Sequence, residues 1–184
     1  MTKCRFGSGI DCFGRADAFA AVGGSDSHGS HQRVGRPQTV VHADELSTPA
    51  LVDAMRRGHS YIAESSAVTL ELTASSPVGD DVLTVGPGET LVTPPGAPVT
   101  VSAAASGVPG TSLALITAEG CVARAMVDES GEGRLRWTTT GVGAHFARVE
   151  VRRQARLPSM VALTNPVFLR RVCADGAAYS PRNF

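Results

Sequence analysis

From about residue 65 onward, short runs of β-branched and small apolar residues alternate with turn-forming Gly, Pro and Asp, and that texture limits the chain to a few folds. The runs are AVTLELTA (67–74), PVTVSAAA (98–105), TSLALITAEG (111–120), CVARAMV (121–127), RLRWTTT (134–140), HFARVEVRR (145–153) and MVALT (160–164). Between them stand SSPVGDD, GPGET, PPGAP, GVPG and ESGEG. FARVEVR alternates cleanly, with Ala147, Val149 and Val151 on one side and Arg148, Glu150 and Arg152 on the other. A period of two means that one face is buried and the other is wet. Several short strands at this spacing predict an antiparallel β-sandwich.

The front of the chain reads differently. LSTPALVDAMRRGHSYI carries one clear helix. Ser47 suits the N-cap, where its hydroxyl accepts from an orphan amide, and Pro49 is tolerated in the first turn. Leu51, Val52 and Met55 form an apolar stripe, Arg56 and Arg57 suit the C-terminal end of the dipole, and Gly58 suits the left-handed position beyond it. TVVHA (39–43) reads as a strand, and DAFAAVG (17–23) as a short strand or the end of a helix. The expected division is a small α/β piece at 1–64, a sandwich at 65–172 able to fold without it, and a tail at 173–184.

Bulk properties exclude some classes. Lys+Arg and Asp+Glu are 17 each, so a general polyanion-binding role has no support and no nucleic-acid partner is expected. No run of about 18 apolar residues is present for a membrane helix. MTKCRFGSGIDCFG lacks an apolar signal core, so the default compartment is the cytoplasm. Cys4, Cys12, Cys121 and Cys173 are scattered and form no C-x-x-C pair.

The chemistry lies in AVGGSDSHGSH (21–31). Carboxylate and neutral imidazole are ligand types for zinc, manganese or iron. In an extended segment residues i and i+2 point the same way, so Asp26 and His28 can address the same ion or adjacent ones. The competing reading is a nucleophile elbow, but GGSDS has Ser27 where G-x-S-x-G needs its second Gly. A solvated Gly/Ser/Asp loop is the plain alternative.

Wider context adds to this. VGGSDSHGS, then VGRPQTVVHADELSTPALVDAMRRGHSYI, then FARVEVR and ALTNPVFL together resemble the C-terminal part of metallohydrolases of the polymerase and histidinol phosphatase (PHP) superfamily, in the CehA/McbA-like branch. The resemblance runs from about residue 21 to 170. It implies a fold of the α+β class, mostly β: the last strand and helix of a PHP β/α barrel followed by an antiparallel β-sandwich. It implies that Asp26 and His28 are metal ligands, with His42 on the next strand as a third candidate and Arg36 of G-x-P-x-T as a candidate substrate contact. His31 matches no motif, and His59 is expected to cap the helix. The implied activity is metal-dependent hydrolysis of a small-molecule phosphoester, or of a related ester or carbamate.

The barrel's H-x-H motif and its further His and Glu ligands are absent from the sequence. The expectation is therefore a portion of such an enzyme, incomplete as a catalyst, holding a divalent metal weakly or not at all. Exposed barrel edges would favour self-association, and a parent enzyme could be exported. The alternatives are a non-catalytic sandwich that docks a partner, or a degenerate PHP-like protein. Trp137 in RLRWTTT is expected in the core rather than as a sugar platform.

Overall fold

A computed structural model describes residues 19–31, 33–140, 144–155 and 159–171. In chain order the elements are β1 (Gln38–Val41), α1 (Thr48–Arg57), β2 (Ser60–Ala63), β3 (Thr69–Val78), β4 (Asp81–Val85), β5 (Thr90–Thr93), β6 (Pro98–Ser106), β7 (Thr111–Thr117), β8 (Gly120–Met126), β9 (Gly133–Thr140), β10 (Phe146–Arg153), β11 (Met160–Thr164) and β12 (Val167–Arg171). The mostly-β expectation holds.

The elements make two sheets. The larger runs β1-β2-β11-β10-β12-β5, with β7 on the opposite edge of β10 and β8 beyond it. The smaller runs β4-β3-β6-β9. Pairing is antiparallel except between β5 and β12, which are parallel. Leu70, Leu72 and Ala74 of β3 and Val99, Val101 and Ala103 of β6 join Leu113 and Leu115 of β7 and Val149 and Val151 of β10 in one buried cluster. Each fully buried Val or Leu contributes roughly 1.5–3 kcal/mol over its exposed state. Trp137 packs against this cluster.

The second face of β10 is less wet than its alternation implied. Glu150 is only 8 % exposed. It accepts from Arg148 Nη2 at 2.7 Å and Arg152 Nε at 3.0 Å. A carboxylate taken out of water needs such partners.

Strands β11 and β12 are nearly one strand. Both run antiparallel to β10 along the same edge, Glu150 opposite Leu163 and Ala147 opposite Val167. Three steps along β10 thus answer to four along its partner, so Asn165–Pro166 carries a bulge. A bulge frees a residue from the ladder and re-aims its side chain. The hydroxyl of Thr164 accepts from the Val149 amide at 2.9 Å, satisfying a donor at the disruption.

Helix α1 follows its expected chemistry. Ser47 Oγ accepts from the Ala50 amide at 3.3 Å, and Gly58 sits at φ 77. The Gly58 amide bonds Met55 O and the His59 amide bonds Ala54 O, the Schellman pattern. His59 therefore caps with its backbone, not with the imidazole.

The front segment is not set apart from the sandwich. β2 pairs with β11, Ala63 opposite Ala162 and Tyr61 opposite Thr164. The Glu64 amide reaches Val161 O at 2.9 Å, and the Glu64 carboxylate pairs with the Arg153 guanidinium. The expected boundary near residue 64 is thus no break in the sheet. The strands flanking α1, β1 and β2, pair antiparallel with each other. A β/α-barrel unit joins parallel strands, so that unit is not what β1, α1 and β2 form.

Candidate functional site

Residues 21–23 lie against β1, β2 and the Asn165 bulge, and exposure alternates along 21–28. Val22, Gly24, Asp26 and His28 are exposed, while Ala21, Gly23, Ser25 and Ser27 are half-buried. No ladder holds this stretch among the described residues. Side chains grip its backbone instead.

Two residues provide the grip. Asn165, 1 % exposed, accepts from the Ala21 amide at 2.7 Å and donates through Nδ2 to Ala21 O at 3.1 Å. The same Nδ2 reaches Ser60 O at 3.1 Å and Ser60 Oγ at 3.0 Å. Thr39 does the equivalent at Gly23: its hydroxyl accepts from the Gly23 amide at 2.8 Å and donates to Gly23 O at 2.9 Å. A Cβ at Gly23 would lie 2.6 Å from Ile62 Cγ2, so any side chain there would force the segment or Ile62 to shift. Thr39 belongs to the G-x-P-x-T stretch and Asn165 to ALTNP, so two separate motifs converge on the residues just before Asp26.

Asp26 has φ 46, in the left-handed region that Asp tolerates better than most residues. This turn brings His28 Nδ1 to 2.7 Å from the Asp26 carbonyl. A carbonyl only accepts, so Nδ1 carries the proton and the lone pair of the neutral ring is on Nε2. A metal-binding histidine is oriented in this way, with one ring nitrogen donating to a carbonyl and the other facing the ion. The Asp26 carboxylate lies 3.5 Å from Nδ1, and the Asp26 and His28 side chains are 91 % and 78 % exposed.

The other candidates lie apart. Arg36 is exposed and precedes Pro37 through a cis peptide. His42 is exposed, and its amide donates to His59 O at 2.8 Å. Among the described residues no three His, Cys, Asp or Glu side chains come together, so His42 is not brought to Asp26 and His28. The donor types fit a divalent ion, but two protein ligands fall short of the three that a catalytic zinc site uses. Cys4, Cys12 and Cys173 lie outside the described residues; Cys121 is exposed.

No protein-family model matches the chain, and no curated protein and no solved structure shows significant similarity to it. The functional reading therefore stands on the geometry and on the motifs.

Sequence reasoning identified the Asp-x-His pair but not the residues that position it. Thr39 and Asn165 are ordinary in their local contexts, and Asn165 lies 144 residues from the backbone it binds. The one signal was that both fall inside motifs of the resemblance.

Proposed function

We propose that this chain is the C-terminal portion of a PHP-type metal-dependent hydrolase, acting on a phosphoester or a related ester or carbamate. Asp26 and His28 supply two ligands, and further strands of the catalytic barrel supply the rest. The observation that carries this reading is the convergence of Thr39 and Asn165 on Ala21 and Gly23, which fixes the approach to Asp-x-His with four backbone hydrogen bonds. A solvated loop has no need of such anchoring. Phe19 and Val22, next to and within this segment, are exposed apolar side chains and fit a face that barrel strands would cover.

In this reading Asp26 and His28 would be two of the residues holding a divalent ion, which would supply Lewis-acid polarisation of the scissile group and a water of lowered pKa. The chain's own contribution is positional: the Asp26 carbonyl accepts from His28 Nδ1, and Asn165 and Thr39 hold the backbone at Ala21 and Gly23, ahead of Asp26.

Manganese relaxation tests the assignment. Substoichiometric Mn2+ added to the full chain should broaden the ring proton signals of His28 before those of the other histidines, and Asp26→Asn should reduce the effect. Equal broadening at all histidines, unchanged in Asp26→Asn, would overturn it.

A further inference from the structure

A second candidate site lies on the outer face of the smaller sheet, away from Asp26 and His28. The register sets its layout. Glu71, Ala104 and Arg134 lie in one row across β3, β6 and β9, and Thr73, Ser102 and Arg136 in the next. Neighbouring strands are about 4.8 Å apart, so the β3 and β9 side chains stand about 10 Å apart with β6 as the floor. The floor residues are small and the flanking ones long. The result is an open trough of about 480 Å3.

Its chemistry is asymmetric. One wall offers the Glu71 carboxylate and the Thr73 hydroxyl, and the other two guanidiniums. Glu71 is long enough to meet Arg134 over Ala104, yet none of the ion pairs among the described residues involves Glu71, Arg134 or Arg136. Three charged groups thus face an open concavity with a net charge of one positive unit. Leu135, between the two arginines in sequence, and Trp137, just after them, pack against the core cluster, so neither is a stacking platform on this face.

We propose that this trough binds a small hydroxylated organic anion, of which a uronate sugar is the type. Its acid group would sit on Arg134 and Arg136, whose planar forks match a carboxylate or phosphate. Its ring hydroxyls would bond Glu71, Thr73 and Ser102. The excess of one guanidinium over the carboxylate selects an anion over a neutral sugar. Glu71 selects a ligand with donors over a bare acid, which it would repel.

The test is a nuclear magnetic resonance titration of the full chain with glucuronate, glucose 6-phosphate, glucose and acetate, each alone. Glucuronate or glucose 6-phosphate should shift the amides of 71–73, 102–104 and 134–136 saturably, and the tighter of the two identifies the acid group. Glucose and acetate should bind at least about tenfold more weakly, each lacking half of the matched groups. Arg136→Gln and Glu71→Gln, both at exposed strand positions, should weaken glucuronate or glucose 6-phosphate by a similar factor without altering the circular dichroism spectrum. Ala104→Leu should fill the floor and abolish binding. No saturable shift at these amides would overturn the proposal. So would acetate binding as tightly as the sugars, or binding unaffected by Arg136→Gln.

Discussion

Replacing Asn165 with Ala removes the pin between the bulge, β2 and the segment leading to Asp26. The amide group makes four hydrogen-bond contacts, one from the Ala21 amide and three from its own Nδ2 to Ala21 O, Ser60 O and Ser60 Oγ. A net hydrogen bond is worth about 1 kcal/mol, and a buried group left unpaired costs about 1–3 kcal/mol. Ser60 and Asn165 are 3 % and 1 % exposed, so water does not readily replace the Ser60 contacts, whereas Ala21 is half-buried and water can reach it. The loss should come to about 3 kcal/mol, a large part of the 5–15 kcal/mol typical of a domain. Urea denaturation followed by circular dichroism reads the global loss. Amide exchange at Ala21 and Gly23 reads the local one. Both should respond in Asn165→Ala. Thr39→Val should free the Gly23 amide at a smaller global cost. A loss below about 1 kcal/mol in Asn165→Ala, with unchanged exchange at Ala21, would refute the anchoring argument.

Other outcomes follow from the same contacts. Gly88→Ala should be among the most damaging small substitutions. Gly88 has φ 85, and a Cβ there would lie 2.0 Å from Arg57 O, so the end of α1 must move away; a drop in thermal midpoint of several degrees is expected. A fragment beginning at residue 66 loses β2 and exposes the edge of β11; it should aggregate or melt well below the full chain in light-scattering and calorimetric scans. The Ser130 hydroxyl and then the Glu132 amide hold the Asp128 carboxyl below its ordinary value. The ionised form is favoured in the folded state, so this contribution is present above about pH 3.8 and lost as pH falls through the lowered folded value. Asp128→Asn should flatten the acid limb of the stability–pH curve.

The parts of the fold that were legible depended on local signals. Strand β6 alternates along its nine residues, β10 alternates in sequence from Ala147 to Arg152, and the caps of α1 are written in Ser47, Pro49 and Gly58. β4 was hidden because SSPVGDD reads as a turn, whereas only Gly79 and Asp80 join β3 to it. β5 is four residues long among Gly and Pro, and β12 follows β11 across a bulge that its sequence does not announce. The front segment looked separate because the partner of β2 lies about a hundred residues later. At the site, the donor types of Asp26 and His28 were legible, but the anchors were not. Local patterns carry no information on a hydrogen bond from Asn165 to Ala21.

Zinc calorimetry on the full chain, with Asp26→Asn and His28→Ala alongside, tests the central claim most directly. Two ligands without a third predict weak binding of one ion, and each substitution should abolish it. Binding of the same strength in all three proteins would contradict the assignment and return residues 24–31 to a solvated loop.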